Sequence, residues 1–263
     1  MSTIQDYRQI SRNQDRYESM VRARPDVKRD VEYFQANIGK ITSAEELLKD
    51  DKLYRFVMEA FDLGSQTYAR ALIRKVLDEG VTEPNALANR MNDTKFKEMA
   101  TVLAFYETGG ATLKEPEIVQ AIVERYIDVK KEVSAEEKNP AVRLALYFER
   151  KAGRINNWYQ VLADRALQKV VFTALDIPEQ SALGDIDRLV DKLKKRFDIA
   201  DFQDPAKLQT FLDRFSVMYD LKNGAPSVSS NLPYIGVVNT RGRASIISID
   251  PSVTMSLLRF PRF

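Results

Sequence analysis

The chain contains one stretch of sequence twice. Residues 31–63 align without a gap on residues 145–177 at a constant offset of 114, and ten of the 33 aligned positions are identical. A gapless match of this length between two parts of one chain is typical of an internal duplication. The identical pairs are Tyr33/Tyr147, Phe34/Phe148, Gly39/Gly153, Ile41/Ile155, Leu48/Leu162, Asp50/Asp164, Leu53/Leu167, Val57/Val171, Ala60/Ala174 and Asp62/Asp176. We therefore predict a duplicated helical unit, and call residues 31–63 the first copy and residues 145–177 the second copy.

Apolar spacing and capping residues predict that both copies are helical. Apolar residues recur at steps of four, three and four from Val27 to Ile38, which is the period of one helix face. Ser43, followed three residues later by Glu46, has the pattern of a capping box at the start of the next helix. We expect Gly64 to stop the helical segment that follows in the first copy, and Pro178 to stop the equivalent segment in the second copy.

The predicted fold is mainly α, with two repeated helical lobes joined by a central helix and a small C-terminal appendix. Residues 115–136 carry apolar side chains on more than one helix face, which favours contact with both lobes. Two β-branched runs, 234–238 and 245–249, flank turn-forming residues and predict a β-hairpin. The predicted boundaries are 1–24 for an N-terminal arm or helix, 25–110 for the first lobe, 111–139 for the connecting helix, 140–223 for the second lobe, and 224–263 for the hairpin and tail.

Composition excludes several kinds of chemistry. The chain has no cysteine and no histidine, which removes disulfides, thiolate nucleophiles, imidazole bases and nearly every zinc site. Forty basic residues against 38 acidic ones leave a net charge of +2, so neither nucleic acid nor an anionic membrane is the expected partner. No apolar run approaches the roughly 18 residues that span a bilayer, and no phosphate-binding glycine motif is present.

The repeated aspartates and aromatic residues have structural explanations. Asp50 with Asp164, and Asp62 with Asp176, are predicted to cap helix ends rather than to form two catalytic sites. The Phe residues of the repeated Tyr-Phe pairs lie on the apolar stripes and are predicted to be core anchors. The basic run 192–196 is flanked by aspartates and is predicted to be a solvated helical turn. We therefore expect no catalytic, cofactor-binding or metal-binding residues.

Candidate partner-binding residues lie mostly outside the duplicated parts. Trp158 replaces Ala44 of the first copy, and it is predicted either to fill the core near a helix start or to contact a partner. The segment after Gly224 is basic and rich in apolar residues, so it could add a strand to a partner, or the hairpin could fold back on the lobes. The candidates are Trp158, Tyr234, Arg241, Arg243, Arg259, Phe260 and Phe263.

Several sequence strings carry a resemblance to a known family. YFQANIGKI, DDKLYRFVMEAFDL, RKVLDEGV and ANRMND, together with SRNQDRY near the start and SIDPSVTMSLLRF near the end, are the strings concerned. Over essentially its whole length the chain resembles a bacterial family of unknown function whose members occur in flagellar gene clusters of alphaproteobacteria. The resemblance implies an association with motility or flagellar assembly, and it supplies no catalytic residues.

The expected function is therefore a non-enzymatic interaction or assembly protein, with a protein partner such as a flagellar component. A structural component exported through the flagellar apparatus is the alternative, and an enzyme using only carboxylates and lysines is a third class. We expect a cytoplasmic location, or a flagellum-associated or exported one without a cleavable signal peptide. The partner and the oligomeric state stay open.

Overall fold

A computed structural model describes residues 2–224. Within this range the chain forms α-helices and short 3-10 helices and no β-strand, which confirms the mainly α class. The predicted hairpin and tail lie outside the described residues, except for Gly224 itself.

The helices follow one another with short connections. The first part contains α1 (Thr3–Ser11), α2 (Gln14–Arg22), α3 (Pro25–Asn37), α4 (Ala44–Lys49), α5 (Asp51–Ala60), α6 (Arg70–Glu79), α7 (Leu87–Arg90), α8 (Thr94–Leu103) and α9 (Phe105–Thr108). The second part contains α10 (Pro116–Glu136), α11 (Pro140–Ala152), α12 (Trp158–Ala163), α13 (Arg165–Ala174), α14 (Ile186–Arg196) and α15 (Pro205–Asn223). The 3-10 helices are Ile38–Lys40, Gly64–Gln66, Ala111–Lys114, Glu179–Leu183 and Ile199–Gln203.

Two hydrophobic clusters form the core of the described residues. The first includes buried residues from Val21 to Ile127, and the second includes Tyr7 and buried residues from Ala135 to Phe215. Helix α10 contributes to both, because its N-terminal half packs in the first cluster and Ala135 packs in the second. This agrees with the apolar side chains on more than one of its faces, while the lobe boundaries stay a prediction.

The duplicated stretch has the same local structure in both copies. Helices α4 and α12 begin and end 114 residues apart, and so do α5 and α13. Ser43 and Asn157 each accept a hydrogen bond from a first-turn amide of the short helix that follows. Asp50 and Asp164 each accept hydrogen bonds from two first-turn amides of the longer helix. The predicted capping role of these two aspartates is confirmed.

The residues that end α5 and α13 are not the predicted Gly64 and Pro178. Asp62 and Asp176 adopt the left-handed conformation, with φ of 59° and 52°. In the first copy the next amide, that of Leu63, donates to the carbonyl of Met58 at 2.7 Å, and the second copy has the equivalent bond at 2.8 Å. Aspartate tolerates this conformation better than most side chains. The helix therefore stops at an aspartate, which agrees with the helix-end role predicted for Asp62 and Asp176, whereas the assignment of the stop to Gly64 and Pro178 was wrong.

The N-terminal segment is folded onto the second part of the chain. The backbone amide and the hydroxyl of Thr3 donate to the carboxylate of Asp220 on α15, at 2.9 and 2.5 Å. Arg8 forms a two-bond contact with Asp213 on the same helix. Of the two alternatives, arm or helix, the structure shows the helical one, in two pieces.

Gly110 lies in a tight turn against the first copy. Its φ is 78°, and a Cβ atom at this position would lie 2.5 Å from the carbonyl oxygen of Ile41. The neighbouring Gly109 also has a positive φ, of 59°, but a Cβ there would meet no atom within 4 Å. The two glycines therefore share the conformational requirement and differ in the space around them.

This difference predicts unequal effects of alanine. Both Gly109→Ala and Gly110→Ala should lose about 1–2 kcal/mol of unfolding free energy to the left-handed conformation. Gly110→Ala should lose clearly more, because the backbone around Ile41 must move. Urea unfolding followed by circular dichroism measures both, and equal losses would contradict this interpretation of the turn.

Candidate functional site

A cleft of about 600 Å³ separates the first copy and α8 from α11 and α13, with α10 along one side. Its lining includes both apolar and charged side chains, among them Asp62, Lys95, Glu132, Arg143, Tyr147 and Lys169. Because three parts of the chain meet here, the charged side chains of the cleft are the candidates for a functional site.

Arg150 of α11 joins these three parts. Its guanidinium donates to Glu132 of α10 at 2.6 and 3.1 Å, and to Asp62 after α5 at 2.7 and 3.2 Å. Lys151 Nζ lies 3.0 Å from Asp62 as well. The side chains of Asp62 and Glu132 are only 9% and 4% exposed. A buried carboxylate needs such partners, since burial without them is costly.

The two carboxyl groups are shifted in opposite directions. Burial acts to raise the pKa of Asp62, but the adjacent Arg150 and Lys151 outweigh it and lower that pKa below its usual value. Burial dominates at Glu132 and raises its pKa, because Arg150 offsets only part of the desolvation and Asp62 adds repulsion. A raised carboxyl pKa is a feature of general acids. Here, however, both oxygens of Glu132 are held by Arg150, which makes the group part of a structural ion pair.

A second contact crosses the cleft at Asp164. Its carboxylate accepts a hydrogen bond from the Tyr147 hydroxyl at 2.5 Å and lies 2.9 Å from Lys95 Nζ of α8. Burial acts to raise the pKa of Asp164, but Lys95 and Tyr147 together lower it. Burial and the neighbouring Asp164 raise the pKa of Tyr147, so this hydroxyl stays protonated. The first copy repeats the bond between the Tyr33 hydroxyl and Asp50 at 2.7 Å.

Glu98 of α8 completes the set. It contacts Arg125 at 2.8 Å and Lys151 at 3.8 Å, and it also pairs with Arg154. We name Asp62, Lys95, Glu98, Glu132, Arg150, Lys151 and Asp164 the junction cluster. Each carboxylate of this cluster has at least one cation beside it, so the cluster is a network of ion pairs that connects separate segments of the chain.

The predicted partner-binding residues fall into two groups. Trp158 is 3% exposed and packs edge-on against Phe202, with ring centroids 5.9 Å apart. Of the two predicted alternatives for Trp158, the structure shows the core position near a helix start and not an exposed partner contact. Tyr234, Arg241, Arg243, Arg259, Phe260 and Phe263 lie outside the described residues and stay predictions.

An apolar groove of about 390 Å³ was not identified from the sequence. It lies between the α1–α2 segment and the corner where α10 turns into α11. We define the apolar groove by Ile10, Tyr17, Met20, Ala135 and Val142, which line it. Met20 is 61% exposed. Ile10, Tyr17 and Met20 belong to the predicted N-terminal arm or helix, 1–24, but the sequence does not indicate what these side chains contact.

Two kinds of feature are absent from residues 2–224. No group of three or more acidic side chains in this range is arranged to hold a metal ion. No helix in the same range is both long and apolar enough to cross a bilayer.

Removal of Arg150 should be far more damaging than removal of the exposed Arg154. Arg150→Met leaves Asp62 and Glu132 buried with too little positive charge, which typically costs 3–5 kcal/mol of unfolding free energy. Arg154→Met removes a solvent-exposed pair and should cost about 1 kcal/mol or less. Chemical denaturation of both variants tests this, with Arg150→Met/Glu132→Met expected to recover part of the loss. Equal losses of unfolding free energy in the two single variants would show that Arg150 does not hold the three segments together.

The lowered pKa of Asp62 predicts an acid-sensitive contribution to stability. Its folded-state pKa lies below the unfolded value of about 4, so its contribution is present above pH 4 and is lost as pH falls through the folded value. Glu132 has the opposite sign, because acidification protonates it in the folded state first and relieves the cost of its burial.

Asp62→Asn should therefore flatten the fall of unfolding free energy below about pH 4. Asp176→Asn is the matched control, because it occupies the equivalent position in the second copy but pairs with Lys222 at the surface. Urea unfolding between acid and neutral pH measures both. A larger effect of Asp176→Asn would contradict the assignment.

Comparison with known proteins places the chain in a family. A family model described as a protein of unknown function (DUF1217) matches residues 60–208, a range that contains the whole junction cluster. The structure is similar to an X-ray crystal structure of an Agrobacterium tumefaciens protein from a structural genomics consortium, with 35% sequence identity and a TM-score of 0.77. That match covers 85% of this chain and 97% of the other. No curated protein matches the sequence. The chain therefore belongs to the DUF1217 family of proteins of unknown function.

Proposed function

We propose that the protein is a non-enzymatic interaction or assembly protein associated with bacterial flagellar motility. The observation that carries the interaction role is the apolar groove. The groove is a concave site in which the exposed Met20 lies beside half-buried Ile10 and Tyr17, and concave sites with apolar and polar lining are typical of binding sites. The flagellar association is supported by the family resemblance of the sequence strings.

The junction cluster supports a structural rather than a catalytic use of the cleft. A general base or nucleophile must be available to a substrate, whereas Asp62, Glu132 and Asp164 already hold cations from other segments. The third class, an enzyme that uses carboxylates and lysines, would need one of these contacts to open.

The finer architecture is part of the proposal. Two repeated helical lobes, 25–110 and 140–223, are joined through residues 111–139, and a β-hairpin with a short helix follows within 224–263. The matching caps and left-handed aspartates of the two copies support the repeat. A structural component exported through the flagellar apparatus is the alternative function, supported by the absence of cysteine.

A deletion strain of a motile bacterium that encodes the protein tests the role. Swimming and filament number should fall and should return when the full chain is supplied. Met20→Asp, which places a charge in the apolar groove, should fail to restore them. Tyr68→Asp should restore them, because Tyr68 is 84% exposed and does not line the groove.

Normal swimming and filament number in the deletion strain would refute the flagellar role. Recovery of the protein in purified basal bodies or culture supernatant would favour the exported component over a cytoplasmic adaptor.

A further inference from the structure

Helix α1 lies between α11 and α15 and donates hydrogen bonds to three carboxylates there. The donating side chains are Thr3, Tyr7, Arg8 and Ser11, and the carboxylates are Glu149 on α11 and Asp213 and Asp220 on α15. We define the carboxylate groove by Glu149, Asp213 and Asp220. Thr3 and Tyr7 are only 0% and 1% exposed in it. Without α1 these part-buried carboxylates would lose their donors, which is costly, so the groove needs a helix with this set of donors.

A single residue bends the chain between α1 and α2. Arg12 keeps helical backbone angles, with φ of -78° and ψ of -15°, whereas Asn13 departs from them, with φ of -129° and ψ of 39°. The sequence from Thr3 to Arg22 contains neither glycine nor proline, so every residue in it can be helical. A change of backbone conformation at Asn13 would therefore convert α1 and α2 into one straight helix, roughly 30 Å long.

Helix α2 is held on α10 by contacts that do not involve α1. Val21 is buried in the first hydrophobic cluster, and Arg22 pairs with Glu124 of α10. Glu18 lies 3.3 Å from Lys131 Nζ, also on α10. Straightening at residue 13 would thus leave α2 in place and turn α1 out of the carboxylate groove. A released α1 of nine residues is too short to be stable alone, so it needs the groove of another molecule.

A second molecule of this protein fits both halves of such an exchange. It offers its own carboxylate groove to the released α1, and it supplies an identical α1 to the groove that was left. The hydrogen bonds between helix and groove then form again across the two molecules. We propose that two molecules exchange α1, with residues 3–22 straightened into one helix in each. The inference does not rest on the flagellar role.

Substitutions at Asn13 test the straightened helix. Asn13→Ala and Asn13→Gly both remove the hydrogen bond from this side chain to the carbonyl of Gln9, so they differ mainly in helix propensity. Alanine favours the straight form, and each dimer contains two such helices. We therefore expect the dimer of Asn13→Ala to have a dissociation constant about thirtyfold below that of Asn13→Gly. Sedimentation equilibrium over a range of protein concentrations measures both.

The absence of cysteine permits a direct test of the exchange in the full chain. Thr3→Cys in one preparation is mixed with Asp220→Cys in another, because these two side chains meet at 2.5 Å. Exchange brings residue 3 of one molecule to residue 220 of the other, so mild oxidation should link them by a disulfide. Tyr68→Cys mixed with the same Asp220→Cys preparation is the control for random collision, since Tyr68 is 84% exposed and lies outside α1. We expect the first pair to react about tenfold faster.

Three results would overturn the proposal. Equal rates of disulfide formation in the two mixtures would show random collision instead of exchange. Monomers of Asn13→Ala at every protein concentration would show that the straightened chain does not pair. Equal dissociation constants for Asn13→Ala and Asn13→Gly would show that the dimer forms without the straightened helix.

Discussion

The structure depends on one buried guanidinium that is shared by two carboxylates. Arg150 binds Glu132 on the central helix and Asp62 at the end of α5, so three segments far apart in sequence are fixed at one point. A buried ion pair adds little stability compared with an apolar contact of the same size, but removing one member is costly. Its value here is geometric, since the bidentate contacts admit one orientation of α11 against α5. The two hydrophobic clusters are thereby joined by a polar contact of defined direction.

The consequences of this joint extend along α10. Its N-terminal half packs in the first cluster, while Glu132 and Ala135 lie where the second begins. Lys130, two residues before Glu132, also reaches Glu59 of α5 at 2.5 Å. Apolar packing is less directional than an ion pair, so the paired charges help to specify the rotation of α10 about its axis. The cleft beside α10 keeps its shape for the same reason.

Local features could be predicted from the sequence, because their causes lie within a few residues. Helix caps such as Asp50 and stripes such as that of α3 depend on neighbouring residues alone. The partner of Asp62 could not be predicted, because Arg150 is 88 residues away and no periodic pattern links the two. The Tyr147–Asp164 bond could have been found, since the pair recurs as Tyr33 and Asp50 with the same separation of 17.

The mistaken details share a physical cause. Gly64 and Pro178 are residues that commonly stop helices, but each lies two residues after an aspartate in the left-handed conformation, and that aspartate ends the helix first. Likewise the left-handed Ala104, with φ of 46°, separates α8 from α9, although nothing in the sequence of an apolar alanine indicates that conformation. Here tertiary packing decides the backbone, and composition does not reveal it.

The ion pairs between the two copies are not repeated, because the copies differ at the positions that form them. The positions equivalent to Arg150 and Lys151 in the first copy are Ala36 and Asn37, which carry no charge. The first copy places Asp62 against Arg150 and Lys151 of the second copy. A further copy that placed its aspartate against Ala36 and Asn37 in the same way would therefore have no cation to pair with. In the first copy, Lys52 Nζ lies 4.8 Å from the centroid of the Tyr33 ring.

The inner contact between the copies thus cannot be extended by repetition. The ion pairs that join the two copies are therefore specific to this one contact. The apolar groove lies outside the duplicated stretch, because its lining comes from α1, α2 and the corner between α10 and α11.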